Sequence, residues 1–169
     1  MKTLLYTLTL IIALALAGCS SSSSSAIPKS SKARYQSVAT SKATLVQKGA
    51  QKESCAICGM HLATFYRTSH AAATKTGEKK QYCSIHCVVK DNEINKTDLK
   101  DLKVVDNTTL KLISAHKAYY VVGSSKPATM SRTSKYAFAK ITDAEAFAKK
   151  FGGTVMNLED TYTEAMKDF

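Results

Sequence analysis

From His61 onward the chain reads as short runs of period two separated by helical stripes. Leu62, Thr64 and Tyr66 alternate with His61, Ala63 and Phe65, a pattern that predicts a strand. Residues 70–76 predict a second strand, residues 77–80 (Gly-Glu-Lys-Lys) a turn, and Gln81 to Cys83 the return strand of a hairpin. Ser84 is placed to cap a helix from Ile85 to about Glu93, with Ile85, Val88 and Val89 on one face. The run Leu102 to Asp106 closes this unit as a strand.

The same order then recurs. Leu110 to Ile113 and Ala118 to Val122 are strand-like runs joined by a turn at Ser114 to Lys117. Lys135 to Lys140 alternates cleanly, and Thr142 to Glu145 has the spacing of a capping box. Ala144, Phe147, Ala148 and Phe151 form an i, i+3, i+4, i+7 stripe that Gly152 terminates. Thr154 to Met156 reads as a short strand, and Leu158, Tyr162, Ala165 and Phe169 mark a terminal amphipathic helix. Residues 70–106 and 118–157 therefore each read ββαβ. The fold class expected is α+β, with two similar ββαβ units plus a C-terminal helix. The halves share element order and no sequence identity.

The first 53 residues lack this patterning. Met1 and Lys2 precede a nearly unbroken apolar run from Leu4 to Ala17, shorter than the ~20 residues a spanning helix needs. The run ends in Leu16-Ala17-Gly18-Cys19, which resembles the lipobox of bacterial lipoproteins. That resemblance implies a signal peptide over residues 1–18, cleavage before Cys19 and lipid on the Cys19 thiol. The anchored chain is then expected in the cell envelope, facing the periplasm. Ser20 follows Cys19 in place of an acidic retention signal, which favours the outer membrane. Residues 19–53, rich in Ser and Lys, are expected as a disordered tether because they hold too little apolar surface to fold alone. The domain proper is expected over residues 54–169.

Charge changes this picture little. The chain carries a formal +11, and loss of Lys2 with the signal leaves +10. The basic residues are scattered, with no Arg-rich or aromatic-interleaved strip, so nucleic acid is not an expected partner.

Chemistry concentrates in two clusters. Ser54-Cys55-Ala-Ile-Cys58-Gly-Met60-His61 places soft and borderline ligand types within one short stretch, and Cys83-Ser-Ile-His-Cys87 follows on the helix start. Such donors suit Cu(I) or Zn(II). His86 lies about 100° around the helix axis from Cys87 and is set aside as a ligand. Disulfides and thiol redox chemistry remain alternatives for Cys55, Cys58, Cys83 and Cys87. Met156 and Met166 fall on apolar faces and read as packing, whereas Met130 sits in a polar loop with no stripe to join. No Ser/His/Asp set or carboxylate pair stands out, so an enzyme is not expected.

The Cys58-Gly59-Met60 core resembles the NosL family of bacterial lipoproteins accessory to nitrous-oxide reductase. So do residues 106–109 (Asp-Asn-Thr-Thr), residues 115–124, the loop methionine and residues 143–153 (Asp-Ala-Glu-Ala-Phe-Ala-Lys-Lys-Phe-Gly-Gly). The resemblance implies paired ββαβ units and Cu(I) binding. It also implies delivery to a client cuproenzyme, nitrous-oxide reductase with its maturation machinery. Carried onto this chain, it makes Cys58, Met60 and Met130 copper ligands, with Cys55 or His61 auxiliary. The additional Cys55, Cys83 and Cys87 resemble a TRASH-type finger, which implies a Zn(II) Cys₄ site serving an interaction module. Scavenging of other heavy metals by the same thiols is a further alternative.

Overall fold

A computed structural model describes residues 34–169. The expected signal peptide, Cys19 and the serine run lie outside the described residues.

The first half is built on strands β1 (His70–Thr74), β2 (Lys79–Tyr82), β3 (Leu99–Val105) and β4 (Leu112–Ser114), in the order β2-β1-β3-β4. Helix α1 (Ile85–Val89) follows β2 and runs into a π-helical turn at Lys90–Ile94. That turn is pinned by Asp91, which is buried and accepts hydrogen bonds from Tyr82, Thr97, Asn95 and Lys80. The second half holds β5 (Tyr119–Val122), β6 (Lys135–Phe138), α2 (Ile141–Phe151) and β7 (Thr154–Met156), with strand order β6-β5-β7. Helix α3 (Leu158–Met166) follows.

In each half the first strand lies central, antiparallel to the second and third. The two ββαβ units expected from element order are thus wound alike, with β4 added to the first sheet. One apolar core joins them: Ile85 and Val89 of α1, Val104 of β3, Tyr120 and Val122 of β5, and Leu158 and Ala165 of α3. A second core under α2 holds Val121, Tyr136, Phe138, Ala144 and Phe147. A third surrounds the cysteines.

Four details differ from the sequence expectations. The run after His61 is a 3₁₀ helix, Leu62–Thr68, kinked at Phe65. Leu62, Ala63, Tyr66 and Thr68 are its buried residues, so in so short a run a helical face is indistinguishable from alternation. Lys140, not Thr142, is the N-cap of α2, which places Thr142 inside the first turn and dissolves the expected capping box. Helix α3 stops at Met166, leaving Met166 exposed and Phe169 beyond the helix end, half exposed and stacked on His86.

The tether is the fourth. Residues 34–53 were expected to be unstructured but lie against the domain. Gln36, 1 % exposed, donates to the carbonyls of Pro127 and Ala128 at 3.0 and 3.1 Å. The Val38 amide donates to Ala63 O, and the Val46 amide donates to Gln81 Oε1. Amide side chains here add to the isolated apolar contacts of Tyr35 and Leu45, which form no stripe that sequence patterning registers.

Candidate metal centre

The first cluster forms a tight loop. The Cys55 amide donates to Met60 O at 2.8 Å and the Gly59 amide to Cys55 O at 3.0 Å, folding the C-x-x-C stretch back on itself. Gly59 takes φ +74°, a conformation glycine adopts without steric cost. The Ala56 amide donates to Gln81 O at 2.9 Å, which docks the loop beside the end of β2. Cys83 follows that strand directly, and Cys87 lies in the first turn of α1.

All four sulfurs converge. The Sγ atoms of Cys55, Cys58, Cys83 and Cys87 lie within 4.8 Å of one another. Cys58 Sγ stands 3.5 Å from Cys83 Sγ, and Cys83 Sγ stands 3.7 Å from Cys87 Sγ. None of the four is joined in a disulfide in this structure. Cys55, Cys83 and Cys87 are buried, and Cys58 alone is partly open to solvent.

Ionisation follows from this crowding. Hydrogen bonds from the Cys83 and Cys87 thiols hold Cys55 far below the usual thiol range, against burial, with help from the Cys58 and Ile57 amides. Hydrogen bonding with Cys55 in turn pushes Cys83 and Cys87 up, and burial adds to the effect. Several thiolates in contact repel one another, so full ionisation of the set requires a cation at its centre.

The other expected ligands are distributed unevenly. Met60 is partly buried and packs on the same apolar cluster as Cys55, Cys83 and Cys87. His61 is turned elsewhere: Nε2 lies 3.5 Å from Glu53 and Nδ1 lies 3.2 Å from Thr64 Oγ1. Met130, 38 % exposed and at φ +59°, lines a separate cavity of about 650 Å³ with Arg132, Glu164, Asp168 and Phe169. Its loop nevertheless touches the cysteine framework. The Thr68 hydroxyl donates to Cys83 O at 2.8 Å and shares a hydrogen bond with Thr129, next to Met130, at 2.9 Å. His86 stacks on Phe169 with ring centroids 4.4 Å apart and sits 3.6 Å from Asp168.

Thr68 and the amides of Ile57 and Cys58 were absent from the sequence reading. The amides were recoverable from the C-x-x-C-G spacing. Nothing local marks Thr68.

Two ββαβ units of antiparallel strands, with four thiols gathered against the first of them, define a thiol-rich domain able to hold a metal ion. The NosL family model matches residues 46–166, and the chain belongs to that family. Its fold is similar to that of a crystal structure described as the copper chaperone NosL from Shewanella denitrificans. The TM-score is 0.54 at 25% identity, over 68% of this chain and 93% of that one. No curated protein matches the chain.

Proposed function

We propose that this protein is a copper chaperone that binds Cu(I) as cargo and hands it to a client cuproenzyme, nitrous-oxide reductase being the favoured client. The observation that carries this reading is a thiol set with one member, Cys58, partly open to solvent, and with Met60 packed on the same apolar cluster. Thiolate and thioether together favour monovalent copper, and an accessible thiolate permits ligand exchange with a partner. The family membership and the likeness to a structure described as a copper chaperone support the reading. Cys58 is the entry thiolate and Met60 its soft neutral neighbour. Met130, the loop ligand that the resemblance implies, lines a separate cavity in this structure and is not counted with them. The role requires no catalysis, and the lipobox-like start of the chain supports an envelope location, anchored through Cys19 and facing the periplasm.

Competition of the full chain against a Cu(I) chelator under anaerobic conditions tests this. Cys58→Ser is expected to abolish Cu(I) binding and Met60→Ala to weaken it. Normal affinity in Cys58→Ser overturns the assignment.

A further inference from the structure

We infer that the open edge of β3 over residues 99–102 docks an extended segment of a partner protein, one in which apolar side chains alternate with acidic ones. The inference stands on sheet topology and surface chemistry and not on the copper reading.

Strand β3 is paired with β1 from Leu99 to Val104. On its other side β4 pairs only with Lys103, Val104 and Val105. After Ser114 the chain turns aside through the 3₁₀ turn Ala115–Lys117, so residues 99–102 carry no strand there. An edge of this kind is a template for one more strand, supplied by another chain.

Both faces beside the edge are hollow, and their chemistry differs. Residues directly opposite in a ladder share a face. On the outer face Ala73 lies between Lys79 and Lys100, and Ala71 between Gln81 and Lys103. These alanines floor a cavity of about 720 Å³ that Lys79, Lys103 and His116 also line, with Asp101 the one acid among its described lining residues. On the inner face a cavity of about 360 Å³ is lined by Val88, Leu99, Leu102, Leu158 and Tyr162, with Glu159 as its acid. Leu102 and His116 line both cavities, which therefore meet at the edge itself. A strand added beside residues 99–102 sends alternate side chains to the two faces.

That alternation specifies the occupant. Apolar side chains suit the inner cavity, where Glu159 disfavours a carboxylate. Carboxylates suit the outer face beside Lys100 and Lys103, since opposite charges across neighbouring strands attract. The same lysines repel a second copy of this chain, whose formal charge is +11. Charge thus selects an acidic partner over self-pairing. The ladder is irregular between Ala71 and Ala73, with Asp101 at φ +53°, which bends β3 and limits the match to a short segment. Val88, Leu99, Leu102 and Tyr162 of the inner cavity also pack on the cysteine cluster, so a docked side chain presses on the shell that holds the thiols.

A short synthetic peptide alternating valine and glutamate is the probe, titrated against the full chain by fluorescence anisotropy and located by hydrogen exchange. Binding is expected to weaken with added salt and to slow exchange within residues 99–102 while leaving β7, an edge of the other sheet, unchanged. A peptide alternating valine and lysine is expected not to bind. Lys100→Glu combined with Lys103→Glu, both at exposed positions, is expected to weaken binding about tenfold or more. Lys149→Glu combined with Lys150→Glu on α2 makes the same charge change and is expected to leave it unaltered. No binding, equal binding of the lysine peptide, or binding without slower exchange at residues 99–102 overturns the inference. Slower exchange there on raising the protein concentration without peptide assigns the edge to a second copy and overturns it too. Retention on phosphatidylglycerol vesicles without peptide binding assigns the basic face to lipid, with the same consequence.

Discussion

His70 is 1 % exposed at the head of β1, where its Nε2 lies 3.3 Å from the Tyr120 hydroxyl on β5. Burial lowers its pKa to about 4, only partly offset by the hydrogen bond with Thr68 O. The folded state therefore holds His70 neutral where the unfolded chain, with the ordinary value near 6.5, binds a proton. Stability contributed in this way is complete above about pH 6.5 and is lost as pH falls toward 4, up to about 3 kcal/mol. Denaturant titrations at pH 7 and pH 5 are expected to show this loss in the natural chain and a smaller one in His70→Gln. Gly153 constrains the second half as sharply. At φ +96°, a Cβ there would meet Val122 O at 2.7 Å and Ser124 N at 2.9 Å. Gly153→Ala is expected to cost about 2 kcal/mol or more, read as a lowered urea midpoint. The cysteines could be read from spacing alone because a C-x-x-C pair carries its own geometry. His61 could not, since its neighbours Glu53 and Thr64 satisfy both ring nitrogens only once the loop has folded.

At the level of elements, regular apolar patterning performed well and polar anchoring was silent. The stripe of Ala144, Phe147, Ala148 and Phe151 is the face that α2 packs onto its sheet. The strap of residues 34–38 has no such stripe, yet Tyr35 stacks edge-on against Tyr136 at 5.4 Å and Gln36 holds the loop that leads to Met130. Gln36→Ala removes both bonds to that loop and is expected to destabilise the protein by about 1–3 kcal/mol. Hydrogen exchange should show the loss as faster amides between residues 123 and 134. Helix α3 is capped by Asn157, whose side chain accepts from the Asp160 amide at 2.8 Å. Asn157→Ala is expected to cost about 1 kcal/mol, measurable by thermal denaturation.

For the whole molecule, the metal centre belongs to one half and the core is shared. Stripping metal is expected to speed exchange in residues 54–62 and 82–89 while β5, β6 and β7 keep their protection. Equal loss across both sheets would instead show that the halves open together. The sequence by itself determined the two ββαβ units, the stripes that pack them and the thiols that serve the site. Those features rest on periodicity and on short-range spacing, both of which act within a dozen residues. Tertiary structure alone decided that His61 turns to Glu53 and Thr64, that Met130 lines a different cavity, and that the supposed tether packs down from residue 34. Each of these depends on contacts made only once the chain has folded, by hydrogen bonds and shape that no local pattern records.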